Sequence, residues 1–310
     1  MGWQIDRLSP DAIGISASRR TDIPALFAPW FEHRLAAGFA ETIPAGPPRR
    51  VRRSLRPEDV THFVFWSKWP RPLFRALDTI EAVGYPVLWN VTITGLGGTA
   101  VEPRVPPPDE VVAAVHQLAQ RHGPAAILWR YDPVFVSEHY AGDHHRETFT
   151  RLCGQLVGHV DRVTCSLVHT YGRRVKPDLR AYERETGDRW IEQGHAEQVA
   201  LLGRLREIAA AAGLPFTLCC LPEVQAELAC EPAGCNRWAW ASRVYPELEK
   251  LRARRDKPTR KGCACSQEVD IGVYDTCTHG CRYSYGSRAC GAAEHAMARH
   301  DPTAPCLLPG

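Results

Sequence analysis

The chain has 310 residues, 44% hydrophobic and 24% charged, with a formal net charge of +3 at pH 7. This is the composition of a globular chain long enough to bury a sizeable core. It excludes a disordered chain, a miniature stapled scaffold and a membrane-spanning protein, because no stretch approaches the roughly 18 apolar residues of a span. The surplus of 38 Lys and Arg over 35 Asp and Glu does not support nucleic acid as a partner.

Short apolar or β-branched runs alternate with amphipathic helical patterns from the N-terminus onward, the signal of parallel α/β architecture. Ile13 to Ala17 reads as the first strand, and Pro24 opens a helix over Ala25 to Ala37 that Gly38 ends. Val60 to Trp66 is the second strand, with its helix at Leu73 to Val83. Tyr85 to Thr94 is the third, followed by a helix at Asp109 to Arg121 and a break at Gly123 and Pro124. Ala126 to Tyr131 is the fourth, with a helix at His145 to Val160, and Arg162 to His169 is the fifth. Trp190 to Ala212 is the longest helix, and Leu214 to Cys220 the sixth strand. Arg49 to Arg56 reads as a short basic loop, and Leu248 to Arg260, with Lys250, Arg252, Arg254, Arg255 and Lys257, as an exposed helix end. Six βα units in series predict a parallel βα barrel, complete or partial and TIM-like, over residues 1–222. No Gly-x-Gly-x-x-Gly follows a strand, which counts against a dinucleotide-binding sheet.

In such barrels the active site is built at the C-terminal ends of the strands, and here those ends are polar. The first runs into Ser16, Ser18, Arg19, Arg20 and Asp22, a turn suited to an anion, or to Asp22 capping the helix that starts at Pro24. The second ends in Lys68 between tryptophans. The third offers Asn90, Thr92 and Thr94 on one face, and the fourth Arg130 and Asp132 two apart, able to pair with each other. The fifth offers Ser166 and His169. No Gly-x-Ser-x-Gly elbow and no His-Glu-x-x-His helix is present, so hydrolase chemistry has no anchor. Ser18, Arg19, Arg20, Asp22, Lys68, Asn90, Arg130 and Asp132 are therefore the candidate substrate- or cofactor-binding residues.

The chain carries 12 cysteines, and the N-terminus has no basic region followed by an apolar run. A cytoplasmic chain with reduced thiols is expected, with metal binding or catalysis favoured over a disulfide framework. Cys153 and Cys165 fall in apolar helix and strand patterns and read as core residues. Cys219, Cys220, Cys230 and Cys235 form a group that could share a metal with the later cysteines, hold a second one, or be ordinary thiols. Cys263, Cys265, Cys277 and Cys281 fall within nineteen residues of each other and read as a ligand set. Residues 223–310 are thus expected to be a cysteine-rich metal-binding segment packed on the strand-end rim.

Five stretches, Ser16 to Pro24, Val64 to Lys68, Trp129 to Pro133, Cys263 to Cys265 and Asp270 to Tyr285, together resemble the uncharacterised domain-of-unknown-function family 1848. The resemblance implies that the C-terminal Cys-x3-Cys-x2-Cys is similar to the cluster loop of radical S-adenosylmethionine enzymes. In those enzymes three thiolates hold a [4Fe-4S] cluster whose fourth iron stays open to the cofactor. Here Cys277 and Cys281 match the first two ligands, but Ser284 occupies the third place, and a serine oxygen is a hard, poorly acidic ligand. Cys263 or Cys265 can complete the cluster, Ser284 can ligate weakly, or Cys263, Cys265, Cys277 and Cys281 can hold zinc. The expectation is an iron–sulfur protein, potentially an enzyme, acting with an electron donor and S-adenosylmethionine on a small or nucleotide-like substrate. The alternative is a zinc-stabilised binding protein without catalysis.

Overall fold

The computed structural model describes residues 8–44, 49–171, 174–251, 257–258, 260–287 and 290–308. Strand β1 (Ile13–Ala17) leads into α1 (Ile23–Leu26) and α2 (Ala28–Ala37), and a hairpin of β2 (Phe39–Thr42) and β3 (Val51–Ser54) follows. Four strand–helix units come next: β4 (Val60–Ser67) with α3 (Phe74–Val83), β5 (Val87–Thr92) with α4 (Pro108–His122), β6 (Ile127–Val134) with α5 (Gly142–Leu156), and β7 (Arg162–Leu167) with α6 (Lys176–Thr186) and α7 (His195–Ala211). The chain ends with β8 (Phe216–Leu218), α8 (Pro222–Glu227), β9 (Glu231–Pro232), α9 (Trp238–Val244), β10 (Val269–Asp270) and α10 (Cys290–Met297).

Eight strands form one sheet in the order β10-β1-β4-β5-β6-β7-β8-β9, with every neighbouring pair parallel. The strand that comes last in sequence lies beside the first, which is the cyclic order of a βα barrel. Among the described residues no ladder joins β9 to β10, so these two strands are the edges of the sheet. The segments flanking these edges are bridged instead by Asn236 Nδ2, which donates to the Ser266 carbonyl at 3.2 Å, and by the Trp238 amide, which donates to Ser266 Oγ at 2.9 Å. Both β9 and β10 come from the cysteine-rich segment, which therefore contributes strands to the sheet.

Side-chain alternation divides the sheet into two faces. One face, with Ile15, Phe63, Phe65, Trp89, Val91, Trp129, Tyr131 and Val163, packs in a single core with Leu77, Val115, Phe149, Leu152 and Leu205 of the flanking helices. On the other face Val64, Leu88 and Leu128 pack against Trp238, Trp240 and Leu248, so that α9 and the turn after it cover the early half of the strands. The late half of this second face carries Ser16, Ser18, Trp66, Asn90, Arg130, Asp132, Thr164 and Ser166. An apolar plug therefore supports a polar rim.

Several elements differ from expectation. The helix expected at Ala25 to Ala37 breaks at Phe27 (φ −132°), because Pro29 lies in the first turn of α2 and starts a new helix. The basic stretch at Arg49 to Arg56 is not a loop throughout: Val51–Ser54 pairs antiparallel with Phe39–Thr42. The longest helix starts at His195, behind an extended Gly194, and not at Trp190. Leu248 lies in a 3-10 turn, Pro246–Lys250, and not in a helix end, while Arg252, Arg254 and Arg255 lie outside the described residues. Helix α6 was not anticipated. No helix among the described residues is long and apolar enough to cross a membrane.

Candidate metal centre

Cys219 and Cys220 follow directly on β8. Cys220 adopts the left-handed backbone conformation (φ 59°), so the two side chains do not diverge as neighbours on a strand would, and their Sγ atoms lie 3.6 Å apart. Cys219 also contacts Cys235, which follows β9, and Cys220 contacts Cys263. Cys235 contacts Cys265, and Cys265 contacts Cys263, just ahead of β10. Five thiols from three chain segments thus neighbour one another in a closed ring, with 3.6 Å between Cys219 and Cys220. No cysteine whose side chain is described is joined in a disulfide.

The ring is electrically asymmetric. Thiol donors from Cys219 and Cys265, together with the Arg130 guanidinium that donates to Cys235 Sγ, hold the Cys235 thiol well below its ordinary range. Hydrogen bonds within the ring and burial push Cys265 and Cys220 up. The arginine thus favours negative charge on Cys235 over its neighbours. Arg19 and Arg260 supply further positive charge near Cys265 and near Cys219 and Cys220. Arg130 is itself held by Asp132, which also accepts from Ser166, and it lies over the Trp66 ring at 5.2 Å.

The other expected rim residues are also positioned by one another. Asp270, at the end of β10, accepts from Ser18 Oγ at 2.7 Å, from Ser16 Oγ at 3.1 Å and from the Arg19 amide at 2.9 Å. Arg19 lies 3.4 Å from Glu268, a buried carboxylate neither of whose oxygens has a well-formed hydrogen bond. Burial pushes that carboxyl up to about 7 against the pull of Arg19. Arg20 donates to the carbonyls of Ile43 and Gly272, at 3.0 and 3.3 Å. Asp22 caps α1 through the Ala25 amide and accepts from the Lys68 amide at 2.7 Å and from His279 at 2.8 Å. The capping reading of Asp22 therefore holds, with a histidine as partner. Asn90 donates to the Cys235 carbonyl at 2.9 Å.

Cys277 and Cys281 lie close to each other, and their charged neighbours are Lys68 and Asp22, with Glu102 beside Cys281. Burial pushes Cys277 up to about 11 and Cys281 higher. Lys68 Nζ, which is buried, donates to Glu102 at 2.9 Å and to the Tyr283 hydroxyl at 2.9 Å, and Thr94 donates to the same Glu102 oxygen at 2.6 Å. Burial would pull Lys68 down, but Glu102 outweighs it and holds the ammonium charged. Ser284 Oγ accepts from the Gly286 amide at 3.1 Å. The expected ligands thus keep different company: Cys263 and Cys265 join the five-thiol ring, while Cys277 and Cys281 face the Lys68–Glu102 network.

The donor chemistry decides which group fits an iron–sulfur cluster. Among the described residues no three His, Cys, Asp or Glu side chains already surround one metal position; the ring thiols neighbour each other. The ring nonetheless offers five soft donors beside arginines, which suits a thiolate-held, negatively charged cluster. The Cys277–Ser284 loop offers two thiols and a hydroxyl already occupied by a backbone amide, and does not form the three-thiolate loop of the radical enzymes. A cavity of about 170 Å³ adjoins the ring, lined by Ser166, His169, Trp190, Cys219, Cys220 and Arg260 among others. The signals for Cys219, Cys220 and Cys235 were present in the sequence as a cysteine pair closing a strand; those for Glu102, Tyr283 and Glu268 were not.

The family model for the domain of unknown function DUF1848 matches residues 14–286, and the chain belongs to that family. No curated protein and no solved structure matches it.

Proposed function

We propose that this member of the DUF1848 family is an iron–sulfur protein that holds its cluster in the five-cysteine ring and acts on a small molecule in the adjoining cavity. The observation that carries this reading is the contact of Cys219, Cys220, Cys235, Cys263 and Cys265 beside Arg130 at the strand-end rim. We read the sheet as a βα barrel completed by side-chain bridges between β9 and β10, which places the ring where barrel enzymes build their sites. Bound there, a cluster would supply one-electron chemistry, which with S-adenosylmethionine and an electron donor is the radical chemistry that the C-terminal motif resembles.

The chain's own residues have definite tasks in this reading. Cys235, whose thiol Arg130 and its thiol neighbours hold below its ordinary range, is the ring member most readily deprotonated on cluster loading. Arg130, fixed by Asp132 and Ser166, neutralises that charge and fixes the position of Cys235. Asp270 ties the β1 turn to β10 through Ser16, Ser18 and the Arg19 amide, which keeps Cys265 and the Arg19 guanidinium in register along the β1–β10 ladder.

A second reading, structural zinc, is favoured by one distance. Four thiolates at about 2.3 Å around zinc stand roughly 3.8 Å apart, close to the 3.6 Å between Cys219 and Cys220. Anaerobic reconstitution with iron and sulfide separates the two. The iron–sulfur reading expects about four irons and four sulfides per chain and charge-transfer absorbance, and its radical branch expects reductive cleavage of S-adenosylmethionine under dithionite. One tight zinc, no absorbance and no displacement by iron refutes it.

A further inference from the structure

We propose that Cys220 stands outside the metal-ligand set and is the substrate-facing thiol of a cavity that takes a small carboxylate, which Arg260 holds. The proposal rests on the iron–sulfur reading and adds a division of labour within the ring. Five thiols exceed need: Cys219, Cys235, Cys263 and Cys265 suffice for a closed cluster with four ligands or for one with three ligands and an open iron.

Backbone geometry singles out Cys220. Like Cys219 it is half-buried and lines the cavity, but its left-handed backbone turns its thiol out of the alternation that β8 would impose. Gly262 holds that turn from outside, since a Cβ there would stand 3.3 Å from the Cys220 Cα.

Arg260 supplies the second part of the site. Its Nη1 donates to the Tyr171 hydroxyl at 2.5 Å and its Nη2 lies 3.9 Å from Cys219 Sγ. No Asp or Glu among the described residues pairs with it, although most guanidiniums at this rim do have such a partner. The same cavity is lined by Val134, Val136 and Leu167. Glu192, His169 and Gln193 line it as well, and a cation and a thiol in one mixed cavity suit a short-chain carboxylate whose reactive carbon faces Cys220.

Iodoacetate is a probe with this chemistry, and iodoacetamide is its uncharged counterpart. The sulfur of Cys220 forms a bond to the methylene carbon, the carbon–iodine bond breaks, iodide leaves with the electron pair, and the thiol proton goes to solvent. Anaerobically reconstituted protein is treated with each reagent, and the modified peptides and the iron content are measured. The expected result is carboxymethylation of Cys220 with iron retained, undiminished iron in Cys220→Ser and Cys220→Ala, and iron loss in Cys235→Ser. Arg260→Gln is expected to lower the iodoacetate rate at Cys220 about tenfold relative to the iodoacetamide rate. Loss of iron from both Cys220 variants, with wild type loaded, makes Cys220 a ligand and overturns the assignment. So does an unchanged reagent ratio in Arg260→Gln. If wild type takes up no iron, the iron–sulfur reading fails first, and the division of labour falls with it.

Discussion

Glu268 offers the sharpest physical test of the rim. Its carboxylate is buried, neither oxygen has a well-formed hydrogen bond, and Arg19, at 3.4 Å, is the main group that opposes the loss of hydration, with weaker help from Asn236 and Ser16. The carboxyl is consequently raised from an ordinary 4.5 to about 7. Below pH 4.5 the folded and unfolded chains both carry this proton. Between there and about 7 only the folded chain keeps it, so the contribution of Glu268 to stability falls as pH rises and is fully lost above the folded value. At about 1.4 kcal/mol per pH unit, the loss amounts to roughly 3 kcal/mol. Glu268→Gln removes this dependence. Urea unfolding of wild type and variant at a series of pH values between about 4 and 8 isolates the effect, because other titrating groups cancel in the difference. The stability of Glu268→Gln relative to wild type is expected to rise by roughly 3 kcal/mol across that range. A flat difference, or one that falls with pH, refutes the account of Glu268 as a carboxyl starved of donors.

Other perturbations test the supports of the site. Lys68→Met leaves Glu102 buried without its cation and is expected to cost about 3–5 kcal/mol in urea unfolding, most of it recovered by adding Glu102→Gln; a single variant as stable as wild type contradicts the pairing. Gly272→Ala places a Cβ 2.0 Å from Ser18 Oγ, and calorimetry should show a loss of about 1–3 kcal/mol as the Ser18–Asp270 contact is forced apart. Trp240→Ala empties the plug beneath the polar rim, where Val64, Leu88 and Leu128 pack, and is expected to cost about 3–5 kcal/mol. If chemical denaturation shows less than 1 kcal/mol, α9 is not part of the core.

The parts of the fold that rest on local pattern were readable in the sequence. Phe63 and Phe65, or Trp129 and Tyr131, alternate with rim residues so regularly that strand, buried face and polar face follow together. Cys153 and Cys165 fall in the core as their apolar surroundings required, and burial holds both thiols well above their ordinary range. The hairpin of β2 and β3 was hidden because Val51–Ser54 contains two arginines and is four residues long, too short for its alternation to stand out. Strands β9 and β10 are two residues each, one of them with Pro232, and exist only because neighbours distant in sequence pair with them. That long-range pairing also decides which thiols meet. Cys263 and Cys265 sit nearer in sequence to Cys277 than to Cys219, yet the entry of β10 beside β1 carries them to the thiols after β8 and β9. Spacing along the chain measures only loop length, whereas sheet order decides which loops meet.

Crystals of the anaerobically reconstituted protein, with diffraction data recorded at the iron absorption edge, test the central claim most directly. The account predicts a cluster of iron anomalous peaks at the ring, with one iron within about 2.3 Å of the Cys235 sulfur and another within about 2.3 Å of the Cys265 sulfur. Iron bound only at Cys277 and Cys281, with the five-thiol ring still in mutual contact, would contradict it.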